Sequence, residues 1–302
     1  MTETASMSTW PIVTKRRELL PEEEALPVSK YYDLDLHRPG PFQQELLDHA
    51  MPLNLEDVTP PENWLDVLQP EGYQKAEFGY AMLPDGAGYI ASYTTYPGCT
   101  PKMLGWWFKW INIHPKHMPA GAGNVRYKIW NPADHWDHGF INGKDATDGI
   151  YTVETLDLGE GETAYASIRH PLDPRDFGLS DDRWQALNES GCFVDCCTES
   201  FHRVLDDGSY DLNNYLPGTH LFLTLSRINP WGILEKVTRE WIGYRVADEG
   251  GKVVRDQDTP DWMLNEEYLR KVVIHGTVEA QQLSKFLPQL YAEYKDRPMD
   301  AD

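Results

Sequence analysis

His275 and Glu279 stand four residues apart in the segment His275-Gly-Thr-Val-Glu279. On a helix, residues at i and i+4 share one face. Leu283, Phe286 and Leu290 continue that face, so the pair extends an apolar stripe. An ionised carboxylate buried in such a stripe is costly unless it is paired or bound to a metal. The spacing has two readings: a metal bite from one helical turn, or a His–Glu pair that is hydrogen-bonded or sits at the stripe's wet edge. A second cluster lies in Trp130–His138, WNPADHWDH. Asn131-Pro132 ends a strand, and Asp134, His135, Asp137 and His138 crowd the turn. Neutral imidazole is the commonest side-chain ligand for zinc, so one of these histidines can complete a site. A solvated polar loop is the alternative.

Two further residues belong to the search. Glu154 lies in YTVETLDL, where Val153 and Leu156 bracket it without deciding which face of the strand it takes. His220 begins the apolar run HLFLTLSRI. Other features are set aside. His114-Pro-Lys-His117 has ligand-like spacing, but its proline and its place at a helix end suit a cap or loop. Gly86, Gly88, Gly121 and Gly123 do not follow a strand-to-helix phosphate loop. No Gly-x-Ser-x-Gly elbow occurs, which weighs against a serine hydrolase.

The elements that must carry these residues follow from patterning. EFGYAMLPDGAGYIASYTTYP reads as two strands joined at Pro-Asp-Gly. Thr100 and Pro101 form an N-cap and first-turn proline for the helix KMLGWWFKWI. NVRYKIWNP reads as a strand running into a turn. YTVETLDL and TAYASIRH alternate across a GEGE turn, and HLFLTLSRI pairs with LEKVTREWIGYRV across NPWG. A long antiparallel sheet results. Leu264 to Tyr294 reads as one long helix, with a kink expected at Pro288. Strands in series followed by a terminal helix give an α+β class, the helix lying in the palm of a curved sheet. Residues 1–75, with PEEEALP, VTPPENW and the short helical stretch FQQELLDHAM, read as a small accessory region preceding a catalytic domain at 76–302.

Composition excludes several classes. The formal net charge of −21 repels duplex nucleic acid and anionic membranes. No run of eighteen apolar residues is present to span a bilayer. MTETASMSTW has no basic start or apolar stretch, so a secretory leader is not expected and a cytoplasmic location is. Cys99, Cys192, Cys196 and Cys197 lack the spacing of a zinc ribbon or disulfide framework and read as free thiols.

The segments GYAMLPDGAGYIASYT, TPKMLGWWFKW, RYKIWNPADH, VETLDLGEGE, REWIG and HGTVEAQQLSKFLPQLYAEY, in that order, resemble the diacetylphloroglucinol hydrolase family, which includes phloretin hydrolase. The resemblance runs from about residue 78 to 294. It implies a helix-grip (Bet v 1-like) fold, a homodimer formed through the N-terminal region, and hydrolysis of the carbon–carbon bond between an acyl group and a phloroglucinol-type ring. It also implies one zinc ion held by His135, Glu154, His275 and Glu279, with Glu160 and Glu162 as alternatives to Glu154. His220 takes the role of proton shuttle. Tyr127, His138 and Trp241 are the residues that would contact an acylated polyphenol substrate. Zinc brings the pKa of its water down toward about 7, which suits hydrolysis at neutral pH.

Overall fold

The computed structural model describes residues 18–33, 52–118, 122–156, 165–204, 210–247 and 252–302. The stretch FQQELLDHAM and both Glu160 and Glu162 lie outside them. Ten strands are present among the described residues: β1 (Gly79–Met82), β2 (Gly88–Tyr96), β3 (His135–Phe140), β4 (Ile150–Glu154), β5 (Tyr165–Pro171), β6 (Phe193–Val204), β7 (Tyr210–Ile228), β8 (Leu234–Ile242), β9 (Tyr244–Val246) and β10 (Val253–Arg255). The helices are α1 (Pro21–Glu24), α2 (Pro101–Trp110), α3 (Val125–Lys128), α4 (Asp181–Glu189) and α5 (Glu266–Tyr294). β1 to β8 form one sheet in the order β1-β2-β8-β7-β6-β5-β4-β3, while β9 and β10 pair separately. Every pairing in the large sheet is antiparallel. The mixed α/β class with a large antiparallel sheet and a terminal helix agrees with the patterning.

The two faces of β8 show why this sheet resists simple alternation. Every residue of β8 is buried. Val237 and Trp241 pack with Trp64, Val67 and Leu68 on one side. Ile242 packs with Leu269 and Val273 of α5 on the other. A central strand covered on both faces buries even its polar residues, and these must find partners. Arg227 answers Glu235 at 2.8 Å, and Arg239 answers Glu77 at 2.6 Å.

The long helix is capped by Asn265, whose side chain accepts from the Tyr268 amide. It runs unbroken past Pro288 to Tyr294. Its C-terminal half joins Trp107, Trp110 and Trp130 in an aromatic core through Leu283, Phe286 and Leu290. Thr100 caps α2 by accepting from the Met103 amide, with Pro101 in the first turn, as the sequence indicates. All four cysteines are free. Among the described residues no helix is long and apolar enough to cross a membrane.

Two local expectations fail. NVRYKIW is not a strand: Val125–Lys128 forms a helical turn, with Asn124 accepting from the Arg126 amide. Every residue from Ala122 to Trp136 is buried, so the segment carries no period for a sequence reading to detect. Nor does the following stretch remain a turn, because His135–Phe140 is strand β3.

Candidate active site

The Asn131 carbonyl accepts from the Asp134 and His135 amides, at 3.2 and 2.9 Å, and turns the chain from α3 into β3. β3 then slips register against β4 between His135 and Asp137. The extra residue changes the parity of side chains along the strand. As a result His135 and His138, three apart, both stack on the Tyr127 ring, with centroids 3.7 and 4.7 Å away. The same register sets Glu154, the last residue of β4, opposite His135.

The terminal helix brings the other half. His135 Nε2 lies 3.3 Å from His275 Nε2. Glu279 Oε2 lies 3.5 Å from His135 Nε2 and 3.8 Å from His275 Nε2. Glu154 Oε2 lies 3.6 and 3.8 Å from the same two nitrogens. His135, His275 and Glu279 bring ligand atoms within 4.8 Å of one another, and Glu154 of β4 lies beside both imidazoles.

This donor set fits a metal ion. His135 Nδ1 donates to the Tyr127 carbonyl at 3.1 Å, and His275 Nδ1 donates to Asp134 Oδ2 at 2.9 Å. With the Nδ1 protons so engaged, the Nε2 lone pairs face each other across the centre. The space between them suits a cation, with Glu154 and Glu279 flanking it and Lys236 Nζ 3.5 Å from Glu279. Burial by itself would lower His275, but the Asp134 hydrogen bond and the Glu154 and Glu279 charges carry it up to about 9. Burial by itself would raise Glu279, but Lys236 and both imidazoles bring it down to about 2. His275 thus answers negative neighbours, and Glu279 answers positive ones.

Asp134 is the functional residue that sequence reasoning passed over. It was one of four polar residues in a crowded turn, with no spacing to single it out. Here it also accepts from Thr155 Oγ1 at 2.8 Å, so it is locked while it orients His275. Partners of this kind are worth about ten- to a hundredfold in metal affinity. Asp134→Asn is expected to weaken metal binding by about that factor while the fold persists, read by competition with a chromophoric chelator.

Tyr127, His138, His220, Glu154, His275 and Glu279 all line one cavity. Tyr127 donates its hydroxyl to Glu154 Oε2. Burial, reinforced by the Glu154 charge, holds that phenol well above its ordinary value. Burial also pushes His138 well down, and the nearby Arg169 adds to this, so His138 is neutral; its Nδ1 pairs with Thr152 Oγ1 at 3.0 Å. His220 sits inside strand β7 rather than at its start and is paired with Glu199 and Ile242. Trp241 is a correction. It was expected to touch substrate, yet it is 0% exposed, and its Nε1 donates to the Thr59 carbonyl on the other face of the sheet. Period-2 alternation gives the cavity to Thr238 and Glu240 of the same strand instead. Of the Trp-rich helix α2, Phe108 reaches the cavity, while Trp107 and Trp110 pack in the core. The set-aside histidines are structural. His114 Nε2 contacts Tyr151 Oη at 2.8 Å and Asp137 at 3.2 Å, and His117 pairs with Asp302.

A cavity with Glu154, His275 and Glu279 on its wall and the buried His135 beside them has the form of a hydrolase active site. Residues 61–292 match the DAPG hydrolase PhiG domain, and the chain belongs to that family. The chain is 27% identical over 292 residues to phloretin hydrolase of Eubacterium ramulus, covering 91% of this chain and 93% of that one. It is 24% identical over 285 residues to a 2,4-diacetylphloroglucinol hydrolase of Pseudomonas sp., covering 89% and 88%. A 2,4-diacetylphloroglucinol hydrolase of Pseudomonas protegens is 24% identical over 285 residues, covering 89% and 84%.

Proposed function

We propose that this chain is a zinc-dependent hydrolase that cleaves the bond between an acyl carbonyl and a polyhydroxylated, phloroglucinol-type ring. Family membership supports a hydrolase acting on carbon–carbon bonds in ketonic substances. The observation that carries the metal is the pair of facing Nε2 atoms 3.3 Å apart, each imidazole fixed from behind through Nδ1. His135, Glu154, His275 and Glu279 are the ligands. Mixed imidazole and carboxylate donors without thiolate suit zinc in a catalytic role. When bound, the ion supplies Lewis acidity and an acidified water.

The protein's own groups do the rest. Tyr127, neutral and aimed at the centre through its bond to Glu154, orients a phenol or the acyl carbonyl. His138, neutral beside it, offers a second polar contact to the ring hydroxyls. Phe108, Trp130, Phe193, Phe201 and Phe222 wall the cavity and suit a flat aromatic body. The cleaved bond leaves its electron pair on a ring carbon. Hydroxyls ortho and para to that carbon delocalise the charge, which is why such a ring is the leaving group. The long helix lying across one face of the sheet supports a helix-grip architecture for this site.

Metal analysis of the purified protein is expected to find about one zinc per chain. Chelation should abolish cleavage of an acylphloroglucinol, and zinc should restore it. A metal-free protein that still cleaves at full rate would sink the proposal, as would a metal-loaded protein that binds the ketone without turning it over.

A further inference from the structure

The departing ring carbon must gain a proton. The residues of the centre ride on β3, β4 and α5, whereas a second ionisable group set lines the same cavity from β5 to β8: Arg169, Glu199, His220 and Glu240. Within it the two carboxyls have opposite surroundings. Glu199 accepts from Ser167 Oγ at 2.5 Å and from Arg169 Nε at 3.4 Å. Its carboxylate is held low: burial alone would raise it, and Arg169 and His220 outweigh that. Glu240 has no hydrogen bond among the described residues. Its one ion-pair contact among the described residues is to His220 Nδ1, 3.9 Å from Oε2 and beyond hydrogen-bond reach. Yet Glu240 is 8% exposed and faces the cavity from the middle of the sheet, opposite Phe222 and Ile90.

Resting on that proposed function, we infer that Glu240 is the acid that protonates the ring carbon from which the acyl group departs. In this step the acyl–ring carbon–carbon bond breaks and its electron pair stays on the ring carbon. The Glu240 O–H bond breaks and the ring C–H bond forms, leaving Glu240 as a carboxylate. The hydroxyl of one water ends on the acyl carbon, as a carboxylic acid, and its remaining proton restores Glu240.

The surroundings support the assignment. Burial, and then the Glu199 charge, raise Glu240 to about 7 against the pull of Arg169 and Lys236, with Glu279 of α5 adding to the rise. A carboxyl so placed keeps its proton near neutrality, and two carboxyls driven apart in this way take acid and base roles. His220 does not fill the role as an imidazolium. Burial drives it down to about 4 despite Glu199, and its Nε2 is buried without a partner.

Glu240→Gln keeps shape and removes the proton. It is expected to lower kcat for acylphloroglucinol cleavage by about 10²- to 10⁴-fold, with zinc content and thermal midpoint unchanged. Should that variant fail to fold, Glu240→Asp carries the test. It should cut kcat at least about tenfold and enlarge the solvent deuterium isotope effect, because proton delivery then limits the rate. A zinc-loaded Glu240→Gln, or a folded Glu240→Asp, that turns over at the wild-type rate would overturn the assignment. Wild-type protein without zinc or without cleavage would instead overturn the proposed function, so the two failures are distinguishable.

Discussion

His275→Ala is expected to lower kcat at least about a thousandfold and to leave the purified protein without its metal. A bound metal contributes several kcal/mol to stabilising charge in a transition state, and each 1.36 kcal/mol is about a factor of ten in rate. Losing about 4 kcal/mol gives the thousandfold figure. The substitution also takes the Nδ1 donor at 2.9 Å from Asp134 Oδ2, while Thr155 still donates to Oδ1. It leaves Glu154 and Glu279 facing each other's charge with one imidazole between them. His275→Gln tests the same point with less cavity, since an amide offers no equivalent nitrogen lone pair on that face. Inductively coupled plasma analysis and steady-state rates on an acylphloroglucinol check the two halves. Zinc retained at full stoichiometry in His275→Ala would show that the centre is assembled from other residues.

Glu23→Ala is expected to cost about 3–5 kcal/mol of stability, the largest effect foreseen far from the cavity mouth. Glu23 is 0% exposed, and its Oε1 accepts from Lys128 Nζ at 2.5 Å. Lys128 is itself buried, donates to the Ala122 carbonyl at 2.6 Å, and lies 4.1 Å from the centroid of the Trp136 ring. Removing the carboxylate strands an ammonium in a desolvated place, and that penalty, rather than the worth of the pair, sets the magnitude. The double variant Glu23→Leu with Lys128→Met removes both charges and should recover most of the loss. Guanidinium melts of the three variants, compared at constant slope, read the difference. The pair matters to the site because Lys128 follows Tyr127 in α3, so the segment 21–31 braces the turn that presents Tyr127 and His135. If the single variant lost less than about 1 kcal/mol, the ammonium must find water, and the brace would not be a dry one.

The fold was legible where turn residues and helix caps punctuated the chain. β1 and β2 across Pro84-Asp85-Gly86, β7 and β8 across Asn229 to Gly232, and the capped helices α2 and α5 all followed from pattern and punctuation. It was illegible where complete burial coincided with short, irregular elements. From Ala122 to Trp136 no residue contrasts with its neighbour, so a helical turn and a bulged strand passed for a strand and a turn. Trp241 failed for a related reason. The resemblance implied a substrate contact, but facing is set by parity along β8, and the covering segment around Thr59 hides the outer face.

The chain by itself determined which residues had chemistry to offer: His275 and Glu279 share a helix face through 3.6-residue geometry, whatever lies opposite. Only the tertiary structure decided that they share a centre with His135 and Glu154. That convergence depends on a one-residue bulge in β3, on strand register, and on a helix begun some 110 residues after Glu154. It also decided that Asp134 and Glu240 matter. A carboxyl's role follows from its neighbours' charge and from the water it has lost, and neither is written in local spacing.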